Sequence, residues 1–131
     1  MNIIACIDDR GGMLFNRRRQ SRDSVLLQNL LKKTTKLYIL PFSEKMMASF
    51  GIPYEVVNDV KKVPKDGYFF AEDCSVAALL PHAETLILYK WNREYPGDFF
   101  IDVELSKMKP ASVAEFAGKS HEKITEEIYK L

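Results

Sequence analysis

Asn2–Ile7 is an almost unbroken apolar run, closed by Asp8, Asp9 and the Gly11-Gly12 pair. So short a run between turn residues fits a strand buried on both faces of a sheet. Comparable runs recur at Lys36–Leu40, Tyr54–Val57, Gly67–Ala71 and Thr85–Trp91, and at Phe99–Glu104 after a Pro96-Gly97 turn. Between them the spacing turns helical. Ser21 can cap a helix with Asp23 in its first turn, Leu27, Leu30 and Leu31 on its apolar stripe, and Lys32-Lys33 at its end. Ser43 can cap a second helix carrying Met46, Met47 and Phe50, stopped by Gly51 with Pro53 beyond. Asp73 can cap a third, which runs to Leu80 and ends at Pro81. The arginine-rich stretch up to about Gln20 reads as a polar loop. Strands alternating with short helices imply parallel βαβ units, hence an α/β fold.

No linker, internal repeat or low-complexity tract interrupts the 131 residues, and they fit one domain, 1–131. A chain of this size buries roughly two thirds of its unfolded surface, so its core needs neither disulfides nor a metal. Hydrophobic residues make up 47% and charged residues 28%, which excludes the disordered class. A net charge of +1 gives no whole-molecule attraction to nucleic acid or to an anionic membrane. Cys6 and Cys74 sit in apolar surroundings without a CxxC pair and read as reduced core residues. The N-terminus has no basic stretch ahead of its apolar run, unlike a signal peptide. No apolar stretch approaches the roughly 20 residues of a membrane span. A cytoplasmic protein is expected.

The C-terminal segment fits two patterns. Ile124, Ile128 and Leu131 keep helical spacing behind a Ser120 cap, whereas Ile124, Glu126 and Ile128 keep strand spacing. Taken alone, the segment leans towards helix.

From the fourth strand onward the chain resembles dihydrofolate reductase. Leu80-Pro81-His82-Ala83-Glu84-Thr85-Leu86-Ile87-Leu88 is similar to that family's Leu-Pro-x-Ala-x-x-Leu-x-Leu. Pro96-Gly97-Asp98 falls where the family has Gly-Asp, and the strand Ile3–Ile7 and the first helix with its acid also match. The resemblance covers nearly the whole chain, with shortened loops. It implies a mixed, mostly parallel sheet flanked by short helices. It also implies a C-terminal β-hairpin around Gly118 over Ala111–Leu131, and the hairpin is preferred because register over a whole fold outweighs a local tie.

The departures bear on function. Cofactor-using members carry Gly-Gly after the fourth strand, where bare backbone approaches the dinucleotide; here Ala71-Glu72-Asp73 stands there. Each carboxylate beside a pyrophosphate costs about 1 kcal/mol or more at partly screened contact. After the second strand the family shows Gly-Arg-x-Thr, which grips phosphate at a helix start; here it is Pro41-Phe42-Ser43-Glu44. No cofactor is therefore expected, and NADPH-dependent reduction is disfavoured. Asp23 lies where the family places the carboxylate that holds the pteridine ring. It is either a ligand anchor or a first-turn acid serving the helix dipole. Tyr89 replaces the family's small hydroxyl residue beside that carboxylate, narrowing the cleft or offering a phenol to another ligand.

A second resemblance is carried by Gly12-Met13-Leu14-Phe15-Asn16-Arg17-Arg18, Lys90-Trp91-Asn92-Arg93 and Ser120-His121-Glu122-Lys123-Ile124-Thr125. Together they are similar to a family of short clostridial proteins that often bears the label ribonuclease Z. That activity needs a zinc site with an HxHxDH signature. Only His82 and His121 are present, in unrelated segments, so no metal site is expected.

The remaining chemistry is sparse. Arg17, Arg18, Arg19 and Arg22 form a basic cluster, either a phosphate or RNA contact or a solvated face balanced by Asp8, Asp9 and Asp23. No aromatic residues interleave with it, so nucleic acid is not the expected partner. His121 is either a general base or a surface histidine on the last strand. Trp91 with Arg93 either presents a ring and a cation to a planar anion or anchors the core. The expected function is small-molecule binding, without reduction, on this scaffold. The small, planar or anionic ligand would lie between Arg17–Asp23 and Tyr89–Arg93. The alternatives are a divergent NAD(P)H-dependent reductase and a protein or RNA interaction module.

Overall fold

The computed structural model describes residues 1–131. In chain order the elements are β1 (Asn2–Ile7), β2 (Gly12–Phe15), β3 (Arg18–Arg19), α1 (Ser24–Leu30), β4 (Leu37–Ile39) and α2 (Pro41–Ser49). They continue with β5 (Tyr54–Val56), β6 (Tyr68–Phe70), β7 (Thr85–Lys90), β8 (Phe99–Phe100), β9 (Ser112–Phe116) and β10 (Ile124–Lys130). Seven strands form one mixed sheet in the order β5-β4-β6-β1-β7-β10-β9, and β3-β2-β8 form a small second sheet. The strands from β5 to β7 run parallel; β10 is antiparallel to both β7 and β9.

β1 lies at the centre because both its faces are apolar. Ile3, Ala5 and Ile7 enter one core cluster with Phe69, Leu86 and Leu88. Ile4 faces the other way, among Leu26, Leu30, Met47, Phe70 and Ile87. This alternation is the two-residue period of a strand. Fully burying each such aliphatic side chain contributes about 1.5–3 kcal/mol.

The C-terminal segment is a hairpin, as the resemblance implies and against its local helical lean. β7 would otherwise expose a hydrogen-bonding edge, and β10 covers it from Thr125 opposite Lys90 to Lys130 opposite Thr85. Five local expectations are corrected. Asp23, not Ser21, caps α1, accepting from Val25 N at 3.0 Å and Leu26 N at 3.3 Å. α2 begins at Pro41, whose fixed φ suits a first helical position, so Ser43 lies inside the helix rather than at its cap. No α-helix follows Asp73. That stretch is turns ending in a 3₁₀ turn at Leu80–His82. It is held instead by buried Val76 and Leu79 and by Asp102, which accepts from Ser75 Oγ and Ala77 N.

The arginine-rich stretch is the fourth. It is a β-hairpin, β2–β3, whose turn residues Asn16 and Arg17 both have positive φ, the pattern of a two-residue hairpin turn. Phe99–Phe100 pairs with this hairpin and not with the main sheet, so the expected sixth strand is reduced to two residues.

Candidate functional site

The start of α1 and the loop before β10 converge on Asp23, which shares a cleft with Cys6 of β1 and Phe70 of β6. Its side chain is fully buried, and its two oxygens take every donor around them. Oδ1 accepts from Val25 N, Leu26 N and Lys119 N; Oδ2 accepts from Ser120 N at 3.0 Å and meets His121 Nδ1 at 2.8 Å. Burial raises its pKa. The bonds from Lys119, His121, Ser120 and Leu26 outweigh that and hold it at about 2. Gly118 makes this approach possible: a Cβ there would stand 2.5 Å from Asp23 Oδ2.

An ionised carboxylate only accepts, so His121 Nδ1 carries a proton and donates it to Asp23, which turns Nε2 towards Ser21 and Tyr95. Ser21 Oγ lies 2.9 Å from that Nε2 and Tyr95 Oη 3.2 Å. The Trp91 ring stacks on the imidazole, with centroids 4.5 Å apart and planes 25° off parallel. His121 is therefore buried, not a surface histidine, and sits in the loop before β10 rather than on the strand. Asp8 fixes the two segments that meet His121. Its carboxylate accepts from Gly12 N at 2.7 Å, Tyr95 N at 3.0 Å and Gln20 Nε2 at 3.2 Å. Burial raises the Asp8 pKa, but these bonds and one from Arg10 N lower it overall.

A second constellation closes the other side. Arg19 on β3 donates Nε and Nη2 to the two oxygens of Glu72, each at 2.8 Å. Ser43 Oγ donates to Glu72 Oε1 at 2.7 Å, and the guanidinium lies 5.1 Å above the Phe42 ring. Between the two constellations runs a narrow cleft of about 20 Å³ lined by Cys6, Ser21, Leu26, Met46, Phe70 and Trp91. That is room for about one water. A larger depression of about 510 Å³, near Met1, Val63, Pro81 and Glu84, lies at the amino ends of the parallel strands. Ligands of open α/β sheets bind at the carboxyl ends. An open depression of about 410 Å³ beside Ile7, Asp8 and Lys90 lies there too, and the smaller cleft is the one lined by Asp23 and Trp91.

No protein-family model matches the chain, and no curated protein does. Among solved structures, one of a dihydrofolate reductase from Enterococcus faecalis complexed with NADP(H) and RAB-propyl matches 98% of this chain. The match covers 94% of that chain, with a TM-score of 0.66 and 14% identity. The fold is that of dihydrofolate reductase. At this identity the likeness extends to the fold alone.

The dihydrofolate reductase-like scaffold thus brings together Asp23, Trp91 and His121; Arg93 does not line the cleft and is exposed, with its Nη2 3.4 Å from Ser120 O. Tyr89 is elsewhere. Its hydroxyl donates to Glu126 at 2.7 Å and its ring meets Phe116 edge-on. Burial and the bond to Glu126 push its pKa far up. Arg17 sits exposed at the hairpin turn. The four arginines do not form one face, because Arg19 is paired with Glu72 and Arg22 lies over Phe50.

Ser21, Tyr95 and the Arg19–Glu72 pair were not singled out from sequence. Ser21 read as a cap, and nothing in the chain marks a partner 100 positions away. The residues present do not fit a dinucleotide. Glu72, where the fold family has bare backbone, is locked to Arg19 and Ser43, and Glu44 accepts from the Tyr54 hydroxyl. No group of three or more His, Cys, Asp or Glu side chains is placed to hold a metal. No helix is long and apolar enough to cross a membrane.

Proposed function

We propose that this chain binds a small, flat, anionic organic molecule in the cleft beside Trp91 and does so without a nicotinamide cofactor. The observation that carries the reading is the Arg19–Glu72–Ser43 clasp. It puts a paired guanidinium and carboxylate at the strand end where cofactor-using relatives of this fold keep bare glycine. The dihydrofolate reductase it resembles is complexed with NADP(H); this chain fills the corresponding strand end with its own side chains. The expected repulsion of a pyrophosphate is thereby revised, since Arg19 answers the charge of Glu72 and bulk becomes the larger obstacle. Asp23 is a poor ligand anchor in this reading, because its acceptor capacity is spent on the protein. Trp91 supplies the apolar surface and Arg22, which also lines the cleft, the positive charge. Entry requires the side chains around Trp91 to spread, since the cleft has room for about one water.

Trp91 is the sole tryptophan and lines the cleft, so its fluorescence reports entry directly. Titration with a panel of flat aromatic acids such as salicylate and pterin-6-carboxylate is expected to give saturable quenching by at least one. No saturable change with any of them up to about 1 mM, roughly −4 kcal/mol, contradicts the reading.

A further inference from the structure

We propose that Ser21 is a nucleophile for acyl transfer to water, with His121 as its general base, Asp23 as the residue that positions His121, and Tyr95 as hydrogen-bond donor to the oxygen that gains charge. The substrates are esters with very short acyl groups. The proposal takes the Trp91 cleft as the ligand site and assigns it a reaction.

The geometry is that of a nucleophile, a base and an orienting acid in series. Ser21 Oγ is 2.9 Å from His121 Nε2, and His121 Nδ1 is 2.8 Å from Asp23 Oδ2. Such a series recurs on unrelated folds in different chain orders and is recognised by its roles. The side chains of His121 and Asp23 are 2% and 0% exposed, so water does not compete for the bonds between them. Ser21 is only half-buried and lines the cleft, as a nucleophile must. The stacked Trp91 ring favours the imidazolium that forms when the base takes a proton. Tyr95 Oη, 3.4 Å from Ser21 Oγ, is held there through its own backbone N–H on Asp8.

In the first step Ser21 Oγ attacks the acyl carbon while its proton passes to His121 Nε2. The carbon–oxygen bond to the alcohol then breaks, and His121 returns the proton to the departing oxygen, leaving the acyl group on Ser21. A water, losing a proton to His121, attacks the same carbon; the carboxylic acid leaves and Ser21 regains its proton. Tyr95 donates to the carbonyl oxygen in both tetrahedral intermediates. The cleft behind Ser21 is lined mainly by apolar side chains and has room for about one water, so it must widen even for an acetyl group; each further methylene adds to that cost, and the alcohol part stays outside.

The full chain and its Ser21→Ala variant, made in parallel, are treated with a fluorophosphonate, and the peptide containing Ser21 is read by mass spectrometry. Release of p-nitrophenol is followed from the acetate, butyrate and octanoate esters. The wild type is expected to carry the phosphonyl group on Ser21 and to cleave the acetate at least 10-fold faster than the octanoate. Ser21→Ala should lose both activities, and Asp23→Asn should lower kcat by about 10²–10⁴. Tyr95→Phe should lower kcat with KM unchanged. An unmodified Ser21, or a Ser21→Ala variant that cleaves the acetate as fast as wild type, overturns the proposal. If aromatic acids quench Trp91 while Ser21 stays unmodified, acyl transfer fails and ligand binding stands. If Ser21 is phosphonylated while no acid quenches Trp91, acyl transfer stands and the aromatic-acid reading fails.

Discussion

His121 Nδ1 lies 2.8 Å from Asp23 Oδ2, across 98 residues of chain, and this contact joins the start of α1 to the loop before β10. The first helix and the last hairpin of the chain are thus tied through one buried carboxylate. Its four backbone donors come from both segments, two from each.

Replacing Asp23 with Asn should therefore cost far more than a helix cap. An amide cannot accept on both sides, so buried N–H groups of Lys119 or Ser120 lose their partner. A fall of about 2–4 kcal/mol is expected, against about 1 kcal/mol for a cap alone. Urea unfolding measures it. The same carboxylate sets an acid limit: its folded pKa, about 2, lies below its ordinary 3.8. Its contribution to stability is present above pH 3.8 and is lost as pH falls from there through about 2. In Asp23→Asn that part of the acid transition should disappear.

Gly118→Ala tests the same junction from the other side. The added Cβ would meet Asp23 Oδ2 at 2.5 Å and Ile124 Cδ1 at 2.8 Å. Both neighbours are buried, so the loop must shift, with an expected loss of about 1–3 kcal/mol. A thermal midpoint equal to wild type would show that the loop yields freely.

The sheet was legible in the sequence because its strands announce themselves as short apolar runs. Ile3, Ile4, Ala5 and Ile7 sort to two faces simply by alternation, and the C-terminal hairpin followed from the register of the whole fold. The site was legible only in part. Asp23, Trp91 and His121 were marked, and they meet. Tyr89 and Arg17 were marked and do not join them, since Glu126 takes the Tyr89 hydroxyl and a hairpin turn carries Arg17 outward. Ser21 and Tyr95 were missed because their contacts with His121 are hydrogen bonds between loops far apart in sequence. Turn chemistry was missed as well: an Asn16-Arg17 pair at positive φ lacks the glycine that usually signals a hairpin.

Glu72→Gln probes the clasp. Gln keeps the shape but leaves the Arg19 guanidinium, 21% exposed, without its counter-charge. The expected cost is about 1–3 kcal/mol. The hairpin should also loosen, seen as faster amide hydrogen exchange at Leu14 and Arg19, paired across β2–β3. Unchanged exchange would mean that the clasp does not hold the hairpin.

Zinc chemistry is not expected. His121 is committed to Asp23, and His82 lies exposed in the 3₁₀ turn before β7. Purified protein should carry well under one zinc per chain by atomic emission and should leave pre-tRNA uncut. About one zinc per chain, the occupancy of a catalytic site, would run against this.

The proposal that the chain works without a nicotinamide cofactor is tested most directly by calorimetric titration of the wild-type chain with NADPH. With Glu72 locked to Arg19 and Ser43, and Pro41-Phe42-Ser43-Glu44 opening α2, no saturable heat is expected up to about 1 mM. A dissociation constant of about 10 μM or tighter, roughly −7 kcal/mol, would contradict the account.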